Sequence, residues 1–114
     1  MAITSPFNAD KYLCEKISVL LAASTSAKFI VEKAVTVTHV SFYNQSGSAF
    51  TSAAAVVNVA DTIVSSAANL GAGLVEEKEG VSLANTLVSD GSTVTITSGD
   101  QISFIVLTIE SLQE

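Results

Sequence analysis

A chain of 114 residues has room for one hydrophobic core and too little for two. It is 48% apolar and only 14% charged, against about 25% charged in an ordinary domain, which argues against disorder and leaves a bland surface suited to packing against neighbours. All five basic residues are lysines and the formal net charge is −6, so nucleic acids and anionic ligands are not expected as partners.

In chain order, residues 1–9 read as an arm in which Ile3, Pro6 and Phe7 have no periodicity of their own. Such a segment either docks on a partner or folds over its own domain. Its start lacks the basic and apolar regions of a signal peptide. Residues 10–114 read as a single domain. Within Asp10 to Ala23, Leu13, Ile17, Leu20 and Leu21 suit one face of a helix. Leu13, Glu15, Ile17, Val19 and Leu21 alternate as a strand would. The strand is preferred, because Ser24-Thr25-Ser26 resembles a tight turn into Ala27 to Val31, giving a hairpin from Ile17 to Val31.

Val35 to Tyr43 is rich in β-branched and aromatic residues and predicts a strand. Its apolar phase changes from Val35 and Val37 to Val40 and Phe42, which predicts a bulge near Thr38 or His39. Asn44 to Ser48 is turn-forming. Short strands follow at Ala54 to Val59, with Val57 and Val59 on one face, and at Thr62 to Val64. Ser65 to Gly80, with the charged run Glu76-Glu77-Lys78-Glu79, reads as a surface loop or short helix. Val81 to Leu87, Thr93 to Ile96 and Gln101 to Ile109 complete the strands. In the last, Ile102, Phe104 and Val106 share one face, and Ile105, Leu107 and Ile109 the other. A strand apolar on both faces is central in a sheet or covered by a partner. Seven or eight short strands with no proline after Pro6 predict an all-β fold, an antiparallel β-sandwich or jelly roll. No apolar run is long enough to span a membrane.

The chemistry-bearing residues are few. Cys14 is the only cysteine and His39 the only histidine. No intramolecular disulfide can form, and the default for Cys14 is a buried packing role. A Cys14–His39 dyad is the one nucleophile–base pair on offer, and no flanking motif supports it. Asp90 and Asp100, in SDGS and TSGD turns, lack the spacing of a calcium loop. Glu76, Glu77 and Glu79 read as a solvated cluster. Tyr12, Tyr43 and Phe50 are the aromatic residues that could serve as a glycan platform. No catalytic, cofactor or metal site is expected, and the chain does not read as an enzyme.

From Ala34 to Thr108 the sequence resembles the small β-sandwich structural proteins of tailed bacteriophages, of the capsid decoration or cement type. The resemblance rests on the VTVTHVSFYN strand, the Gly/Ser turn after it, and TITSGDQISFIVLT near the end, with Gly99-Asp100 opening the last strand. It implies a virion protein on the capsid exterior, assembled in the host cytoplasm, which bridges major capsid protein subunits as a homo-oligomer. Ile3, Pro6 and Phe7 of the arm, with Ile105 and Leu107 of the last strand, are the expected contacts. A tail or fibre component, or a module binding carbohydrate or a host surface, is the alternative.

Overall fold

A computed structural model describes residues 12–112, which form two antiparallel sheets packed face to face. The strands are β1 (Tyr12–Leu21), β2 (Ser26–Ile30), β3 (Val35–Asn44), β4 (Ala55–Asn58), β5 (Asp61–Ser65), β6 (Val75–Glu79), β7 (Leu87–Val88), β8 (Thr93–Thr97) and β9 (Ser103–Leu112). One sheet runs β1-β9-β3-β6, with the two-residue β7 also paired to β3; the other runs β2-β8-β4-β5. First and last strands are neighbours in one sheet, second and penultimate in the other. This is the strand order of a jelly roll, and the all-β sandwich expected from the sequence is what the chain forms.

Alternation along the long strands explains the layering. β3 alternates buried and half-buried residues, and a register shift between Val37 and His39 restores its apolar phase. The bulge expected at Thr38 or His39 is there, with the Thr38 hydroxyl donating to the Thr108 carbonyl at 3.3 Å. Val37, Val40 and Phe42 thereby point inward to meet Ile105 and Leu107 of β9 and Val56, Ile63, Val94 and Ile96 of the other sheet.

Four sequence readings are corrected. β1 is a strand, but β1 and β2 are not a hairpin: β1 pairs with β9 and β2 with β8, so the turn between them crosses from one sheet to the other. Each edge takes its ladder from a neighbour in its own sheet, along ten residues of β1 and five of β2. The charged run is neither loop nor helix but strand β6 at a sheet edge, its backbone paired with β3. Tertiary pairing overrides the weak strand preference of Glu and Lys, and inward charge protects an edge from further pairing. Between Val81 and Leu87 lie a 3₁₀ turn (Gly80–Ser82) and irregular chain, with only Leu87–Val88 as strand. In β4, Val56 is the core residue; Val57 is half-buried and Val59 is exposed in the turn.

The loops after β1, β3 and β5, and the turn before β9, gather at one end of the sandwich. Asn44, fully buried there, donates to the carbonyls of Ser48 (2.8 Å) and Leu70 (3.0 Å) and accepts from the backbone and hydroxyl of Ser46. Ser98 accepts from the Thr25 backbone at 3.0 Å and donates to the Ala22 carbonyl at 2.7 Å. The Gly99-Asp100 pair has a clear task. A Cβ at Gly99 would lie 2.5 Å from the Ser52 carbonyl oxygen and 3.1 Å from the Phe50 ring. Only glycine admits that approach. Asp100 accepts from the backbones of Thr51 (2.7 Å) and Ser52 (3.0 Å) and from the Thr51 hydroxyl.

Candidate functional site: the outer face of the β1-β9-β3-β6 sheet

Residues paired across an antiparallel ladder share a face. The ladders of this sheet therefore set its solvent side as a series of rows. Leu20 pairs with Phe104, Phe104 with Tyr43, and Tyr43 with Val75. The four make one apolar row, four strands wide, at the end where the loops gather. Leu20 is 56% and Val75 55% exposed, with Phe104 and Tyr43 half-buried between them. The next row is Ser18, Val106, Ser41 and Glu77, and the third is Lys16, Thr108, His39 and Glu79. The last is Cys14, Glu110, Thr36 and Leu87. At the same end the other sheet's outward row is Ser26, Thr97, Ala55 and Ser65. At this end the apolar outward row is thus a property of one sheet only; the second sheet's exposed Ile30 and Val59 lie toward its far end.

The expected contact residues divide. Ile105 and Leu107 are fully buried and belong to the core, so their assignment to a partner surface is corrected. They pair with Val19 and Ile17 and face the second sheet, because the inner face of β9 starts at Ser103. Phe104 and Val106, on the opposite side of the same strand, carry its apolar character outward. Ile3, Pro6 and Phe7 lie outside the described residues.

The chemistry-bearing residues do not converge. Cys14 is exposed, contrary to the packing role expected of it, because odd and even positions of β1 exchange faces and the inward set starts at Glu15. Its thiol lies 3.7 Å from a Glu110 carboxylate oxygen. His39 is two strands away, with β9 between, its Nε2 paired with Glu79 and its Nδ1 3.2 Å from the Thr38 hydroxyl. The dyad is not assembled. Asp90 and Asp100 sit at opposite ends of β8, five residues long and hence about 17 Å apart. Among the described residues no three His, Cys, Asp or Glu side chains are grouped to hold a metal ion. Hydrogen bonds from the Thr51 hydroxyl, and then from the Ser52 and Thr51 backbones, hold the Asp100 carboxyl at a pKa of about 2. Its role is to fasten a loop.

Glu76 and Lys78 turn to the inner side of β6, where they pair at 3.2 Å, and Glu76 also accepts from the Ala67 backbone at 2.7 Å. Glu77 and Glu79 face out. Of the aromatic platform candidates, Phe50 is buried and Tyr43 belongs to the apolar row; the side chain of Tyr12 is outside what is described. At the far end of the sandwich a groove opens between the sheets, lined by Glu15, Ile17, Phe29, Val31, Val35 and Ile109 among others. No helix among the described residues is long and apolar enough to cross a membrane.

The row was legible in part. Phe104 and Val106 stand out as a second apolar face of β9, but Leu20, Tyr43 and Val75 join them only through ladder register, to which no local sequence pattern points.

No protein family matches the chain, and no curated protein matches it. Among solved structures, a chain from Bacillus endospore appendages, described as disulfide-linked pili, is similar over 91% of this chain and 90% of its own, at 9% identity and a TM-score of 0.47. A chain of infectious bursal disease virus, Gx strain, is similar over 87% of this chain at 13% identity and a TM-score of 0.30; the match spans 29% of that viral chain.

Proposed function

We propose that this protein is a non-enzymatic structural subunit of a multi-copy assembly, and specifically a capsid decoration protein that bridges major capsid subunits on the outside of a virion. The observation that carries the reading is the four-strand apolar row Leu20–Phe104–Tyr43–Val75 on the solvent side of one sheet. An exposed contiguous apolar patch on a small, weakly charged domain marks an interaction surface. Many copies held by symmetry turn individually weak contacts into firm attachment. The phage-like strand pattern described above supports the virion setting.

The test is quantitative mass spectrometry of particles purified from the source. A copy number equal to that of the main shell protein, or a simple symmetric fraction of it, is the expected result. A few copies per particle would move the chain to a tail or fibre, and its absence from particles would sink the virion reading.

A further inference from the structure

The rows of the outer face carry a second regularity. The β1 edge presents Leu20, Ser18, Lys16 and Cys14, and the opposite side presents Val75, Glu77, Glu79 and Leu87 at the same heights. The two inner columns present Phe104, Val106, Thr108 and Glu110 against Tyr43, Ser41, His39 and Thr36. Left and right halves are therefore matched apolar to apolar at the loop-rich end, and cation to anion two rows away.

We propose that this face closes on a second copy of the chain about a two-fold axis running along the strands between β9 and β3. Such an axis keeps each row at its own height and exchanges left for right. Leu20 of one copy then meets Val75 of the other, Phe104 meets Tyr43, Lys16 meets Glu79, and Cys14 meets Leu87. Each contact occurs twice, as an isologous interface requires, and aligned face-to-face packing is an ordinary geometry for sheets. A two-fold axis across the strands does worse. Centred on the face, it sets the apolar row on the row of Cys14, Glu110, Thr36 and Leu87 and brings Glu77 against Glu79; centred on the apolar row, it overlaps that row alone and leaves the rest of the face open. The charges select the first axis. Glu79 is held in place by His39 of its own strand pair. Lys16, exposed on β1, takes part in neither the His39–Glu79 nor the Glu76–Lys78 pair.

The face is small. Four strands about 4.8 Å apart and seven residues of about 3.4 Å make a patch of a few hundred Å², below the roughly 800 Å² per partner of a standard interface. The pair is therefore expected to associate in the micromolar range and to tighten within an assembly. The proposal names a second copy as the partner of the apolar row, so that contact with a shell falls to other surfaces of the pair; it rests on the assembly reading for its biological use, but it is read on the isolated chain.

The experiment is sedimentation equilibrium of the purified full chain, together with Leu20→Glu, Lys16→Glu, Glu79→Lys and the Lys16→Glu/Glu79→Lys double variant. Thermal melting of each confirms folding, since all three positions are exposed. The wild type should dimerise below about 100 µM and Leu20→Glu should be monomeric. Each single charge reversal should raise the dissociation constant by about tenfold, and the double variant should restore it. A monomeric wild type, a dimer indifferent to Leu20→Glu, or a double variant no better than either single one would overturn the pairing. A monomer that is nonetheless present on particles in a symmetric copy number would refute this inference alone and leave the assembly role standing.

Discussion

The two ends of the sandwich are closed in different ways. At the end carrying the apolar row, buried side chains bond to loop backbone: Asn44 to Ser48 and Leu70, Ser98 to Ala22 and Thr25, and the Ser66 hydroxyl to the Ala54 backbone at 3.0 Å. At the other end the side-chain bonds are exposed, as from Asn58 to the Asn85 and Leu87 carbonyls. There the chain reverses through left-handed backbone at Val59 (φ 58°), Asn85 (φ 52°), Gly80 (φ 59°) and Gly91 (φ 85°), against Ser24 (φ 57°) and Gly73 (φ 73°) at the first end. A buried hydrogen-bonding group is costly to leave unpaired, whereas an exposed one is answered by water. The end with the buried bonds is the one that presents Leu20, Phe104, Tyr43 and Val75.

Breaking the end with the buried bonds should have the largest effect. Asn44→Ala removes one donor from each of the Leu70 and Ser48 carbonyls, which keep the Phe50 N–H and the Ser46 hydroxyl, and it opens a void; it should lower unfolding stability by about 2–3 kcal/mol in urea titration. Gly99→Ala sets a methyl group against the Ser52 carbonyl and the Phe50 ring, and should cost about 1–3 kcal/mol by the same measurement. At the open end the sign reverses. Val59 is a β-branched residue in the left-handed region and is 64% exposed, so no packing depends on it. Val59→Asn should raise the urea midpoint, with a gain of about 1 kcal/mol, the usual penalty for an L-residue in that conformation. An unchanged or lower midpoint would show that Val59 is not strained.

The smallest effect is one that acid removes. Asp100 has a folded pKa of about 2, depressed from 3.8 by its hydrogen bonds. Its contribution is complete above the unfolded value and is lost as pH falls through the folded one. Wild type should therefore melt above Asp100→Asn at pH 5–7, with the difference shrinking between pH 4 and 2. A difference independent of pH would mean that the ionised carboxylate is not what fastens Thr51 and Ser52.

Much of the fold was legible because its signals are local. The bulge in β3 shows as a phase slip between Val37 and Val40, and the doubly apolar β9 shows as two interleaved sets. The strand character of Glu76 to Glu79 was hidden, since those residues form a strand only because β3 offers an edge to pair with. Which set of β9 faces the core was hidden as well: Ile105 and Leu107 look as fit for a partner as Phe104 and Val106 until the second sheet covers them.

Composition and alternation by themselves determined that this chain is β-rich, has one core and turns at its Ser, Asn and Gly clusters, because burial period and turn chemistry are properties of a few neighbouring residues. The tertiary structure alone decided that β1 leaves β2 for β9, that Gly99 and Asp100 clamp a loop some 50 residues earlier, and that four residues from four strands line up as one exposed row. Those are consequences of register between segments far apart in the chain. Register is selected by the packing of whole faces, which no single segment encodes.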